Sequence, residues 1–143
     1  KVFVPPGELT SFSPPLAREI AFLPDLESIV IRGNTLRGTI PKVISEISTL
    51  KKLILSKNQF SGTIPPSRKT GSELEGEDKI IDLSLNQFSG QIPPELANIA
   101  GLTKLRLHGN NFTGPMPSAL CSSNANTTED SLALTVLTSD CAE

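Results

Sequence analysis

The 143-residue sequence predicts an α/β solenoid: one domain of stacked coils, with a short parallel sheet on its concave side and an irregular or 3-10 convex side. Three observations predict it. The stretch NQFSGTIPP at 58–66 returns almost unchanged as NQFSGQIPP at 86–94. Two variants, NTLRGTIP at 34–41 and NNFTGPMP at 110–117, extend the series, so that Asn34, Asn58, Asn86 and Asn110 lie 24, 28 and 24 residues apart. Aliphatic residues occupy the same columns around each asparagine. Self-similarity at such a period marks a repeat architecture, in which each unit buries its apolar face only against its neighbours.

Each repeat opens on a strand. Ahead of the asparagines stand Leu26, Ile29 and Ile31; Leu50, Leu53 and Leu55; Ile81 and Leu83; and Leu102, Leu105 and Leu107. The L-x-L portion alternates with period two, as a short strand with one buried face does. The asparagine caps the turn that follows. Its amide both donates and accepts, so stacked copies can satisfy backbone groups that the bend leaves unpaired. Leu36, Phe60, Phe88 and Phe112 form the next apolar column, and Gly38, Gly62, Gly90 and Gly114 permit the positive φ of a second turn. Ile40, Ile64, Ile92 and Met116 are each held extended by the proline after them, Pro41, Pro65, Pro93 and Pro117. The runs KVISEI and PELANI then have room for one or two helical turns, with Ile44 and Ile47, or Leu96 and Ile99, facing inward.

This consensus resembles the leucine-rich repeat, in its 24-residue plant-type subclass with the G-x-I-P signature, over about residues 9–120. The subclass is familiar from plant receptor-kinase ectodomains, polygalacturonase-inhibiting proteins and secreted algal proteins. The resemblance implies a right-handed superhelix, divided into a degenerate N-terminal coil or cap (1–25), four repeats (26–120) and a C-terminal cap (121–143). In the first coil Phe12 falls in the Phe column, Leu16 in the Ile column, and Ile20 and Leu23 in the later apolar columns, with Val2-Phe3-Val4 as the strand. The paired-cysteine cap usual in plant members is missing, and the closing L-C…D-C is similar to the caps of secreted algal members. The second repeat carries an insert at 67–79, polar and acidic toward its end, which puts Asp78 where a leucine is expected. It reads as a solvated bulge or as a partner-contacting loop.

Compartment rests on small signals. Cys121 and Cys141 are the only cysteines. Paired, they would close a loop of about 20 residues, worth roughly 3 kcal/mol in the chain-entropy model, over an end that would otherwise expose leucines. Two reduced thiols are the alternative. Asn111 and Asn126 head N-x-[ST] sequons and are candidates for glycosylation. A disulfide with sequons points to a secreted location or another oxidising compartment, an organelle lumen included. The chain opens KVFVPPGE without a signal peptide and reads as a mature or trimmed segment. No run of 18 apolar residues predicts a membrane span.

Catalytic groupings are thin. No G-x-S-x-G, H-E-x-x-H or P-loop occurs, and two cysteines with a single histidine do not make a zinc site, so neither catalytic residue, metal nor cofactor is expected. Thirteen Lys and Arg against 15 Asp and Glu argue against a general nucleic-acid binder and leave room for a local basic face. Binding through the concave face is the expectation, because residues between the leucines project from it. Its columns run Ser28, Lys52, Ile80, Lys104; Val30, Ile54, Asp82, Arg106; and Arg32, Ser56, Ser84, His108, bordered by Lys57 and Leu85. Against the one acid Asp82 stand Arg32, Lys52, Lys57, Lys104 and Arg106, which points to an anionic partner: a protein, a peptide or a glycan. His108 reads as a contact residue. Four strands about 4.8 Å apart make a strip smaller than the roughly 800 Å² a standard interface takes from each side. Either the rims, insert and caps contribute, or the chain is a structural accessory subunit of a larger assembly, such as one on the lumenal side of a membrane.

Overall fold

A computed structural model describes residues 2–4, 23, 25–66 and 79–122. In chain order its strands are β1 (Val2–Val4), β2 (Ser28–Ile31), β3 (Arg37–Gly38), β4 (Lys52–Ile54), β5 (Gln59–Gly62), β6 (Lys79–Asp82), β7 (Gln87–Gly90), β8 (Leu102–Arg106) and β9 (Asn111–Phe112). Two 3-10 turns, η1 (Lys42–Glu46) and η2 (Pro94–Asn98), and a short helix α1 (Ser118–Ser122) complete them. Cys141 and the side chain of Cys121, between which a disulfide is expected, Asn126, Asp78, most of the insert, and Phe12, Leu16 and Ile20 of the expected first coil lie outside the described residues.

The strands alternate between two parallel sheets, ordered β1-β2-β4-β6-β8 and β3-β5-β7-β9. In the first, register follows the sequence columns: Ser28 faces Lys52, Ile29 faces Leu53 and Val30 faces Ile54, then Ile54 faces Asp82 and Asp82 faces Arg106. Val2-Phe3-Val4 pairs with Ile29-Val30-Ile31. The register shifts once, at the start of β6: Lys79 pairs with Leu102 but Ile80 with Lys104, so Thr103 of β8 is skipped.

The asparagines stand in one column and tie each coil to the one before it. Asn58 Oδ1 accepts from the Leu36 N–H at 3.2 Å, Asn86 Oδ1 from Phe60 at 3.0 Å, and Asn110 Oδ1 from Phe88 at 3.0 Å. Their amide nitrogens donate back to the preceding strand ends: Asn58 to the Ile31 carbonyl at 2.8 Å, Asn86 to Leu55 at 3.0 Å and Asn110 to Leu83 at 3.0 Å. Each also donates within its own coil, as Asn86 does to Leu83 at 3.1 Å. Backbone groups at the bend thus find partners that no strand ladder offers them.

Inside this column Phe60, Phe88 and Phe112 stack nearly parallel, with ring centroids 6.2 and 6.4 Å apart. They lean on the aliphatic core of Leu26, Ile29, Ile31, Leu55, Leu83 and Leu105. The glycine column follows. Gly62 has φ +78°, and a Cβ there would sit 2.8 Å from Thr39 Cγ2; Gly90 has φ +79°, with Thr63 Cγ2 at 2.9 Å. The methyl of one coil therefore rests on the bare glycine of the next. On the convex side η1 and η2 start after Pro41 and Pro93 and bury Ile44 and Leu96.

The second sheet is a finding beyond the expected irregular convex path. Its strands are two to four residues long and are held by neighbours 22 to 26 residues away, as in Gln59 N–H to Leu36 C=O (2.8 Å) and Thr113 N–H to Gly90 C=O (2.8 Å). Stacking places them in register; they would not form alone.

Candidate functional site

The outward rows of the first sheet gather the residues singled out from the sequence. Arg32, Lys52 and Lys57 are exposed, and Ile54, Lys104, Arg106 and His108 are half-buried. Among the described residues, no carboxylate forms an ion pair with Arg32, Lys52, Lys57 or Lys104. Arg106 differs. Its Nη1 lies 3.6 Å from Asp82 Oδ2, and Asp82 is only 6% exposed although its column faces outward. Ser84 explains the rest: its hydroxyl donates to Asp82 Oδ1 at 2.6 Å and its N–H does so at 3.1 Å. Asp82 is an internal partner for its neighbours rather than an accessible anion.

With Asp82 and Arg106 matched, the face keeps four cations around an apolar strip. That strip includes a residue the column reading left out. Register sets Phe3 beside Val30, in the row that continues to Ile54, and Phe3 is 60% exposed. The apolar VFV at the start of the chain was its sequence signal. The apolar end of the face therefore belongs to the first coils, and the Asp82–Arg106 pair to the last.

The border beyond the third row has a feature of its own. The residue just before each ladder asparagine is left-handed in all four repeats: Gly33 (φ 71°), Lys57 (58°), Leu85 (55°) and Gly109 (68°). Two glycines adopt this at no steric cost, whereas a side chain there crowds its own backbone. Leu85 is also 44% exposed and lies outside the aliphatic core. In the row beside it, Ser56 Oγ and His108 Nδ1 are buried without a hydrogen-bond partner.

At the sheet's edge, Lys51 Nζ hydrogen-bonds Glu27 Oε1, and this bond, with the charge of Lys51, holds the Glu27 carboxyl below its ordinary pKa. Among the described residues no three His, Cys, Asp or Glu side chains group as a metal site would require, and no helix is long and apolar enough to cross a membrane. Asn111 and Thr113 are exposed on the flank of the second sheet, while Phe112 between them turns inward to the Phe88 ring.

The family model for the leucine-rich repeat matches residues 49–68, 79–99 and 101–123. No curated protein matches the chain. Among solved structures, a BIR3–SERK2 complex from Arabidopsis thaliana matches at 36% identity and TM-score 0.58, over 68% of this chain and 50% of that one. The ectodomain of the Arabidopsis receptor kinase HAESA, with an IDA peptide hormone ligand, matches at 31% identity and TM-score 0.61, over 77% of this chain and 17% of that one. A plant ice-binding protein matches at 34% identity and TM-score 0.66, over 80% of this chain and 35% of that one. The chain spans half or less of these relatives' length. Period, asparagine column, paired parallel sheets and these likenesses agree: the chain is a plant-type leucine-rich repeat protein.

Proposed function

We propose that the chain is a non-catalytic recognition module that binds an acidic peptide or protein segment across the outward rows of its concave sheet. One observation carries this: Arg32, Lys52, Lys57 and Lys104 have no ion-pair partner among the described residues and flank the apolar strip of Phe3, Val30 and Ile54. Solvated cations beside exposed apolar side chains suit a ligand carrying both carboxylates and apolar groups. The complex of the related HAESA ectodomain with a peptide hormone supports a peptide as the ligand. A secreted setting fits the exposed sequon at Asn111, where a glycan would hang from the second sheet's flank and leave the concave rows open.

Selection of a displayed random peptide library on the purified protein tests the reading, run in parallel on Arg32→Ser/Lys52→Ser/Lys104→Ser. Enrichment of acidic peptides on the wild type, weakened by salt and lost on the triple variant, is the expected result. Equal selection by both proteins overturns it. Competition by a sulfated polysaccharide separates an anionic glycan from a peptide as the natural ligand.

A second reading is favoured by the flank. Outside its buried columns, the second sheet shows Gln59, Ser61, Gln87, Ser89 and Asn111, with Thr35, Thr39 and Thr63 bordering its strands and Arg37 as its only charge. A nearly uncharged array repeating with the coils would suit ordered water, as the likeness to a plant ice-binding protein suggests. Thermal hysteresis of the wild type, absent from Thr63→Glu, would support it; no hysteresis in the wild type would end it.

A further inference from the structure

We infer that Leu85, with Lys57 beside it, is the anchor of the concave-face interface, inserting against an apolar side chain that has a carboxylate next to it in the partner. This rests on the recognition reading above and adds a place and a chemistry to it. The two residues are neighbours on adjacent coils: the Lys57 N–H donates to Ser84 C=O at 3.0 Å and the Asn58 N–H to Leu85 C=O at 3.2 Å. Both occupy the left-handed position that Gly33 and Gly109 fill in the flanking repeats. The fold therefore works with glycine in this column, and side chains there oppose their own backbone preference.

Leu85 does nothing for the core that would offset this. It is 44% exposed, it stands outside the buried cluster, and it leans across Gly109, where a Cβ would come within 2.7 Å of its Cδ2. An apolar side chain that is strained, exposed and seated over a bare glycine is a poor choice for folding and a good one for contact. Lys57 supplies an exposed cation at the same border, and Arg32 supplies another at the neighbouring row's first coil.

The test uses the peptide most enriched on the wild type, fluorescently labelled, titrated onto wild type, Leu85→Gly and Lys57→Gly. Leu85→Gly should weaken binding at least tenfold while raising the melting temperature, because it removes the contact and the backbone strain together. Lys57→Gly should weaken binding less and reduce its salt dependence. Unchanged affinity in Leu85→Gly, or a lowered melting temperature, overturns the inference. A wild type that enriches no peptide overturns the recognition reading and this anchor together. Binding that survives Leu85→Gly but fails in the Arg32, Lys52 and Lys104 variant overturns the anchor alone.

Discussion

The two sheets of this solenoid come from the same coils, yet their side chains obey different rules. On the flank the columns nearly repeat: an asparagine, an apolar ring or leucine, and a glycine, in every repeat. Each has one fixed task, to bridge two coils, to stack, or to leave room for a threonine methyl. On the concave side the central outward row reads Phe3, Val30, Ile54, Asp82, Arg106, with no repetition at all. Repetition within the chain marks what stacking requires, and its absence marks what stacking leaves free. On the recognition reading, the partner is met by the second kind.

The largest expected effect lies in the first kind. Asn86→Ala removes the acceptor for Phe60 N–H and the donor to the Leu55 and Leu83 carbonyls. Two or three buried groups are then left unpaired, for a loss of about 4 kcal/mol in chemical unfolding. A loss under about 1 kcal/mol would mean the ladder is not what joins the coils. Gly62→Ala comes next. Left-handed backbone and the Thr39 methyl 2.8 Å from the new Cβ together should remove about 2–3 kcal/mol. Pairing it with Thr39→Ser should restore part of that, because the methyl is the obstacle. Concave substitutions such as Lys52→Ser should leave stability within about 0.5 kcal/mol, which a denaturant titration checks. Smallest is the Glu27–Lys51 pair. Glu27's carboxyl is held below its ordinary value, so its contribution is present above that value and fades as pH falls through the lowered one. Exposure makes the effect slight; Glu27→Gln should flatten that part of the acid limb of a melting-temperature profile, and an unaltered profile would show the pair contributes nothing.

Much of the fold was legible because the period is written in large residues. Asn34, Asn58, Asn86 and Asn110 fixed the coil length, and the L-x-L strands fell where alternation put them. The second sheet was not legible. Strands such as Arg37–Gly38 are too short for periodicity to register, and they exist because coils 22 residues apart hydrogen-bond along that edge. The left-handed column could have been read from Gly33 and Gly109, but Lys57 and Leu85 in the same column disguise it. Of the concave face, the columns were legible and the chemistry only partly so. Asp82 looked like an exposed acid because its column points outward. Only the geometry shows Ser84 and Arg106 enclosing it.

The most direct test of the division between the faces is a map of amide chemical-shift changes when the wild type is titrated with its best selected peptide. The account predicts shifts concentrated at Val30, Arg32, Lys52, Ile54, Lys57, Leu85 and Lys104, with Gln59, Ser61, Gln87 and Ser89 unmoved. Shifts concentrated on those flank residues instead, with the concave rows silent, would contradict it.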